Sequence, residues 1–194
     1  LAADFPGKPI RLLNGFAAGG PLELISRVIA PPLSQALGQP VVVESRPGAS
    51  GIIAAEAISK SEPDGHMLGM FTGAHTTFAA LRKPLPYDTV ESFQPVTSIV
   101  FYAFVVAVRP AYEATTIREL IALAKARPGQ INYGSAGNGT TSHLIGEMLK
   151  SMAGINLVHI PYKGGAGPAT LAVLGGEVAA TMLTVASFIP HLKG

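Results

Sequence analysis

The chain has 194 residues, no cysteine, a net charge of +2 and only 13% charged residues, about half the usual ~25% share. Its cations are scattered, with no basic block and no aromatic stacking array, so nucleic-acid binding finds no support; without cysteine there is neither a disulfide framework nor a thiolate metal site. No uninterrupted apolar run reaches the ~20 residues of a membrane span, so the chain reads as soluble, with length enough for one large core or two smaller ones.

In chain order, LAADFPGKPI opens without an initiator Met or a signal peptide and reads as the start of a processed product. Residues 10–13 form the first strand. The loop Phe16, Ala17, Ala18, Gly19, Gly20 follows, and Pro21 fits the first turn of a helix. Leu24, Ile25, Val28, Ile29 and Leu33 give that helix an apolar face; Pro31 and Pro32 are expected to disturb it before it ends near Gly38. Residues 41–44 read as the next strand, and the apolar run Val41, Val42, Val43 is the pattern of a strand buried on both faces. A helix over 52–60, a turn at Pro63-Asp64-Gly65 and a strand over 66–71 come next. Gly73, His75 and Thr76 then lie in a loop ahead of a short helix through Leu81. Residues 96–108 read as one long strand, buried from Ile99 onward and suited to cross between lobes. Thr116 is placed to cap a helix over 117–126, which Pro128 and Gly129 stop.

The stretch 131–149 carries the most chemistry. A short strand (Ile131, Asn132, Tyr133) passes through Gly134 and the loop Ser135, Ala136, Gly137, Asn138, Gly139, Thr140 into an amphipathic helix. Its glycines let the backbone bend, and its hydroxyls supply donors and caps. A loop feeding a helix start aims unpaired N–H groups and the positive end of the dipole at one point, which suits an anion. Beyond it come a strand over 157–160, a loop with Tyr162 and Lys163, a helix starting at Pro168, a strand over 178–183 and a last helical piece over 187–193. Strands and helices alternate, with connections too long for hairpins, so the expected class is α/β with parallel strands. Ligands sit at the carboxyl ends of such strands. Four glycine-rich loops gather there, at 15–20, 73–77, 134–141 and 162–167.

Catalytic and cofactor motifs fail in turn. The Walker loop and the full dinucleotide glycine pattern are absent, and no cofactor is expected. His143 and Glu147 share a helix face but lack a third ligand, so no metal is expected and a hydrogen-bonded surface pair is. Ser135 with His143 invites a small hydrolase. The G-x-S-x-G elbow is missing, however, and Asp4, Asp64 and Asp88 all precede the loop. Four loops rich in amides and hydroxyls suit binding rather than catalysis.

The motifs Phe5-Pro6-Gly7-Lys8-Pro9-Ile10, Phe16-Ala17-Ala18-Gly19-Gly20-Pro21, Leu37-Gly38-Gln39-Pro40-Val41-Val42-Val43-Glu44, Arg46-Pro47-Gly48-Ala49 and Pro63-Asp64-Gly65 occur in this order. Leu85-Pro86-Tyr87-Asp88, Asn132-Tyr133-Gly134-Ser135-Ala136-Gly137-Asn138-Gly139, His159-Ile160-Pro161-Tyr162-Lys163-Gly164 and Pro190-His191-Leu192-Lys193 continue the series. Together the chain resembles the periplasmic solute receptors of tripartite tricarboxylate transporters, the Bug- or TctC-type receptors. The resemblance implies a type II periplasmic-binding-protein fold, α/β, with two lobes and a ligand cleft between them. Lobe I would be 1–103, incomplete because a C-terminal return segment is absent, and lobe II 104–194.

It implies a non-enzymatic, exported periplasmic monomer, its signal peptide already removed. Such a receptor captures a small organic carboxylate and hands it to integral-membrane transporter subunits, without inserting into the membrane; an alternative in the same frame is a receptor that signals to a sensor kinase. The Phe16–Gly20 and Ser135–Thr140 loops would clamp the carboxylate, the first partly through ordered water. Gly73, His75, Thr76, His143, Tyr162, Lys163 and Thr184 complete the implied ligand-binding set. Three positions depart from the family pattern: Asn14-Gly15 before the first loop, Leu22-Glu23 after Pro21, and Met182-Leu183-Thr184 where many relatives end the last strand Phe-Asp-Asn. The last departure disfavours an amino-acid ligand and favours a plain carboxylate or one with an apolar body.

Overall fold

In the computed structural model, residues 5–81 and 84–192 are described; Asp4 and Lys193, used above, lie outside them. Contacts divide the chain into unit 1, Leu1–Val96, and unit 2, Thr97–Gly194. The division falls earlier than residue 103, because residues 97–103 lead into a strand of unit 2 and the Val185 N–H donates to the Ala103 carbonyl at 3.2 Å.

Unit 1 is built on strand β1 (Ile10–Asn14), flanked in parallel by β2 (Val41–Ser45) and β3 (Met67–Met70). As the central strand it buries Ile10 and Leu13 completely. The apolar run at 41–44 is not doubly buried: β2 is an edge strand and Val42 is 45% exposed. Glu44 on that edge takes a bidentate pair from Arg11 at 2.5 and 2.6 Å. Helix α1 (Pro21–Leu37) runs unbroken through Pro31 and Pro32. An interior proline removes an N–H and crowds the carbonyl four residues back. Those carbonyls belong to Arg27 and Val28, on the same exposed side as both prolines, where water can take them. Burial of Leu22, Ser26 and Ala30 holds the opposite side to the sheet. Helices α2 (Ile52–Ser59) and α3 (Gly73–Leu81) complete the unit. α3 starts at Gly73, so the loop expected over 73–77 is helical.

Unit 2 is a four-stranded sheet in the order β4-β7-β5-β6, formed by β4 (Phe104–Val108), β5 (Ile131–Ser135), β6 (Leu157–Pro161) and β7 (Ala180–Thr184). The long strand expected over 96–108 contracts to β4; Val96 and Phe101 ahead of it are 81% and 90% exposed. β4 also runs antiparallel to β7, pairing Phe104 with Thr184, while the other pairings are parallel. It enters the sheet without a crossover from another of its strands, so the handedness rule does not fix its direction.

Helix α4 (Ile117–Ala126) is capped by Thr116 as expected, within a full capping box: Thr116 accepts from the Glu119 amide and Glu119 reaches back. Helix α5 (Thr141–Ala153) packs on fully buried Tyr133 through Gly146. Helix α6 (Ala166–Leu174) begins ahead of Pro168. The final helical piece is two single 3-10 turns, Val185–Ser187 and Ile189–His191.

Candidate functional site

In unit 2 the carboxyl ends of β5, β6 and β7 place Ser135, the Tyr162–Lys163 loop and Thr184 along one edge. From Ser135 the chain crosses to α5 through Gly137 and Gly139, at φ 124 and 76, angles that glycine tolerates best. The loop amides are bonded within the chain. Ala136 N–H donates to Ser142 Oγ at 2.9 Å, Gly137 N–H to Ser135 Oγ at 3.1 Å, Gly139 N–H to His143 Nδ1 at 3.2 Å and Thr140 N–H to the Gly137 carbonyl at 3.3 Å. Thr140 Oγ1 adds a bond to the same carbonyl at 2.7 Å, so it does not cap the helix. The donors suited to an anion therefore lie one step further on, in the first turn of α5. There the amides of Thr141, Ser142 and His143 precede the first intrahelical bond, Leu144 N–H to Thr140 O at 3.1 Å, and the Thr140 side chain does not cap them.

Beneath this loop lies a polar stack that sequence reasoning missed. His159 on β6 stands opposite Tyr133 in register and brings its Nε2 to 2.6 Å from Ser135 Oγ. Its ring stacks on His143 at 4.1 Å and on Tyr133 at 5.0 Å. Burial, with His143 alongside, pushes the His159 imidazole down to about 4, and burial lowers His143 as well. Both rings are neutral at pH 7. The Tyr133 hydroxyl, raised by burial and then by Glu147, donates to Glu147 Oε1 at 2.9 Å, and Lys150 Nζ holds both carboxylate oxygens at 2.9 Å.

Glu147 is thereby occupied, and its Oε1 is 3.9 Å from His143 Nε2, so the expected hydrogen-bonded pair is only a loose contact. The hydrolase pairing fails too: Ser135 is fully buried and meets His159, not His143. The Tyr162 side chain leaves the loop cluster, crossing Gly134 so that its hydroxyl is 3.4 Å from Glu177 Oε2, ahead of β7. Its amide stays, donating to the Ser135 carbonyl at 3.0 Å. Thr184 is buried with its hydroxyl 3.0 Å from Ser187 Oγ, and Lys163 is exposed.

In unit 1 the loop after β1 is shaped by buried Asn14, whose Oδ1 accepts the Phe16 amide at 3.2 Å and whose Nδ2 donates to Ser45 Oγ at 3.0 Å. Gly19 N–H is taken by the chain's own carboxylate, Glu23 Oε2 at 2.6 Å, and Arg27 lies 2.6 Å from the other oxygen. The Gly19 amide, and then Arg27, hold the Glu23 carboxyl below its usual range. His75 sits in α3, stacked on Phe71 at 4.3 Å, with Nε2 3.0 Å from the Thr89 carbonyl. It joins Phe16, Gly51, Phe78 and Tyr87 around a small apolar recess. Thr76 bonds back to the Gly73 carbonyl at 2.9 Å. Among the described residues no group of three or more His, Cys, Asp or Glu is placed to hold a metal, and no helix is long and apolar enough to cross a membrane.

A family model described as "Tripartite tricarboxylate transporter family receptor" matches residues 25–194. A UPF0065 protein of Bordetella pertussis is 39% identical over 188 residues, which are 96% of this chain and 57% of that protein. The structure of an R. palustris protein with adipate matches at 30% identity and a TM-score of 0.86, covering 96% of this chain and 62% of that one. MatC from Rhodopseudomonas palustris with bound malate matches at 27% identity and a TM-score of 0.89, covering 96% of this chain and 63% of that one. The chain thus spans little more than half the length of the first of these and under two thirds of the other two.

Proposed function

This chain belongs to the tripartite tricarboxylate transporter receptor family, and from that membership we propose that it is a periplasmic receptor, not an enzyme. It acts as a monomer, binds a small organic carboxylate and delivers it to the integral-membrane subunits of such a transporter. The observation that carries the reading is the uncapped first turn of α5, at the carboxyl end of a parallel sheet and beside a loop already held in shape by its own bonds. In unit 1 the Glu23 carboxylate already fills the Gly19 amide, so the ligand carboxylate is assigned to Thr141, Ser142 and His143 of unit 2. Solved relatives hold adipate and malate. On this chain the last strand ends in uncharged Met182, Leu183 and Thr184, which suits plain carboxylates over amino acids.

Isothermal titration with adipate, malate, benzoate and a neutral sugar tests the proposal. Saturable binding of at least one acid, weakened in Gly139→Val because φ 76 disfavours a β-branched residue, is the expected result. Binding of the sugar with no response to any acid overturns it.

A further inference from the structure

We propose that His143 and His159 are a positioning pair that holds the 136–140 loop closed only while His143 is neutral, so that acidification releases the loop. The geometry fixes where the protons sit. Gly139 N–H donates to His143 Nδ1 at 3.2 Å, so Nδ1 carries no hydrogen and the proton of the neutral ring is on Nε2, on the side of Glu147. A second proton has only Nδ1 to occupy. There it would set one N–H against another, and the bond that ties Gly139 to the helix would be lost. Gly139 is the last glycine before α5, so the turn bonded through Gly137 and Thr140 loses its tie to the His143 side chain, while Ser142 Oγ keeps its hold on the Ala136 amide at 2.9 Å.

Burial makes that second proton harder to add. The His159 ring lies 4.1 Å from His143, and a charge on His143 opposes one on His159. Through Ser135 Oγ at 2.6 Å it also grips the other end of the loop, and Ser135 Oγ accepts the Gly137 amide at 3.1 Å. The stack therefore touches the loop at both ends, Ser135–Gly137 and Gly139. Among the described residues the other titratable or charged groups facing the pair are Tyr133 on β5 and Glu147 and Lys150 on α5. Glu147, held by Tyr133 and Lys150 and 3.9 Å from His143, favours a charge on His143, but burial together with Lys150 outweighs it. The depressed imidazoles agree with this arrangement.

The test needs no ligand. Amide exchange of residues 136–140, corrected for its intrinsic pH dependence, is followed from pH 7.5 to 4 alongside the imidazole nitrogens by NMR. Opening linked to one proton should rise about tenfold per pH unit once His143 titrates, below its ordinary value, while α4 stays protected. In His143→Asn the side-chain Oδ1, at the same position along the side chain as Nδ1, can accept the Gly139 amide at every pH, and the loop should stay protected throughout. Loop exchange that ignores the His143 titration overturns the proposal. So does the same pH response in His143→Asn, or loss of α4 protection together with the loop. A second arm, resting on the carboxylate-receptor reading, measures adipate affinity of the parent at pH 7.5 and 4.5, which should fall at the lower pH. Failure of adipate to bind at either pH counts against that reading alone, since the loop measurement decides the histidine proposal by itself.

Discussion

Replacing Gly146 by alanine sets two effects of opposite sign against each other. In an exposed helix interior the change stabilises by about 1 kcal/mol, because glycine is the poorer helix former. Here the new Cβ would overlap Cε2 and Cζ of Tyr133 and lie 2.6 Å from its hydroxyl oxygen. That ring is fully buried, stacked on His159 at 5.0 Å and bonded to Glu147 at 2.9 Å, so it has nowhere to retreat. Overpacking of this kind costs about 3 kcal/mol at the upper end of its range. Loss of the bond to the Glu147 carboxylate adds about 1.5 kcal/mol. The net expectation is a loss of about 3.5 kcal/mol, which for a unit of this size lowers its thermal midpoint by roughly 14–28 °C. Urea titration followed by far-ultraviolet circular dichroism measures it. In the background of Tyr133→Leu the same substitution should cost far less, since the obstructing ring is gone. A Gly146→Ala protein as stable as its parent, or more stable, would refute the packing of Tyr133 against α5.

Thr116→Ala removes the capping box of α4 and should cost about 1 kcal/mol, seen as faster amide exchange in its first turn. Glu23→Gln loses the charge-assisted bonds to Gly19 and Arg27 and should cost about 1–2 kcal/mol at pH 7. Because the folded Glu23 carboxyl lies below its ordinary value of 4.5, the difference should be full above that pH and shrink as acid protonates it. His159 has the matching dependence: its folded value near 4 lies below the ordinary 6.5, so its neutral form stabilises the fold fully above 6.5. That contribution, on the order of 2 kcal/mol after allowing for partial exposure, should disappear between pH 6.5 and 4. A urea midpoint series over that range in His159→Gln should be flatter than in the parent.

Much of the architecture could be read before any coordinates. Strand–loop–helix steps are marked by local signals, such as Pro21 at a helix start, Thr116 ahead of the helix over 117–126, and Gly38 at a helix end. Neighbour identity is not local. The run at 41–44 says that Val side chains tolerate burial, not that a strand lies on either side, and β2 turns out to have one partner. The run at 99–108 is equally apolar throughout, yet only Phe104–Val108 meets β7. The loop at 135–140 was visible in its glycines and hydroxyls, which mark where the backbone bends. Where its amides bond was not, because that depends on Ser142 and His143 folding back from the helix. His159 could be linked to Ser135 only through the register of Tyr133 with His159.

The internal bonding of the 136–140 loop has a thermodynamic consequence. A recognition loop that must order on contact spends part of its interaction free energy on lost conformational freedom. Here Ser135, Ser142 and His143 have already ordered it, so the loop is preorganised. Association at the first turn of α5 should proceed without a slow isomerisation step, and the enthalpy released there should not be offset by freezing of the backbone. Affinity would then follow how well an incoming anion exchanges its water for three fixed amides.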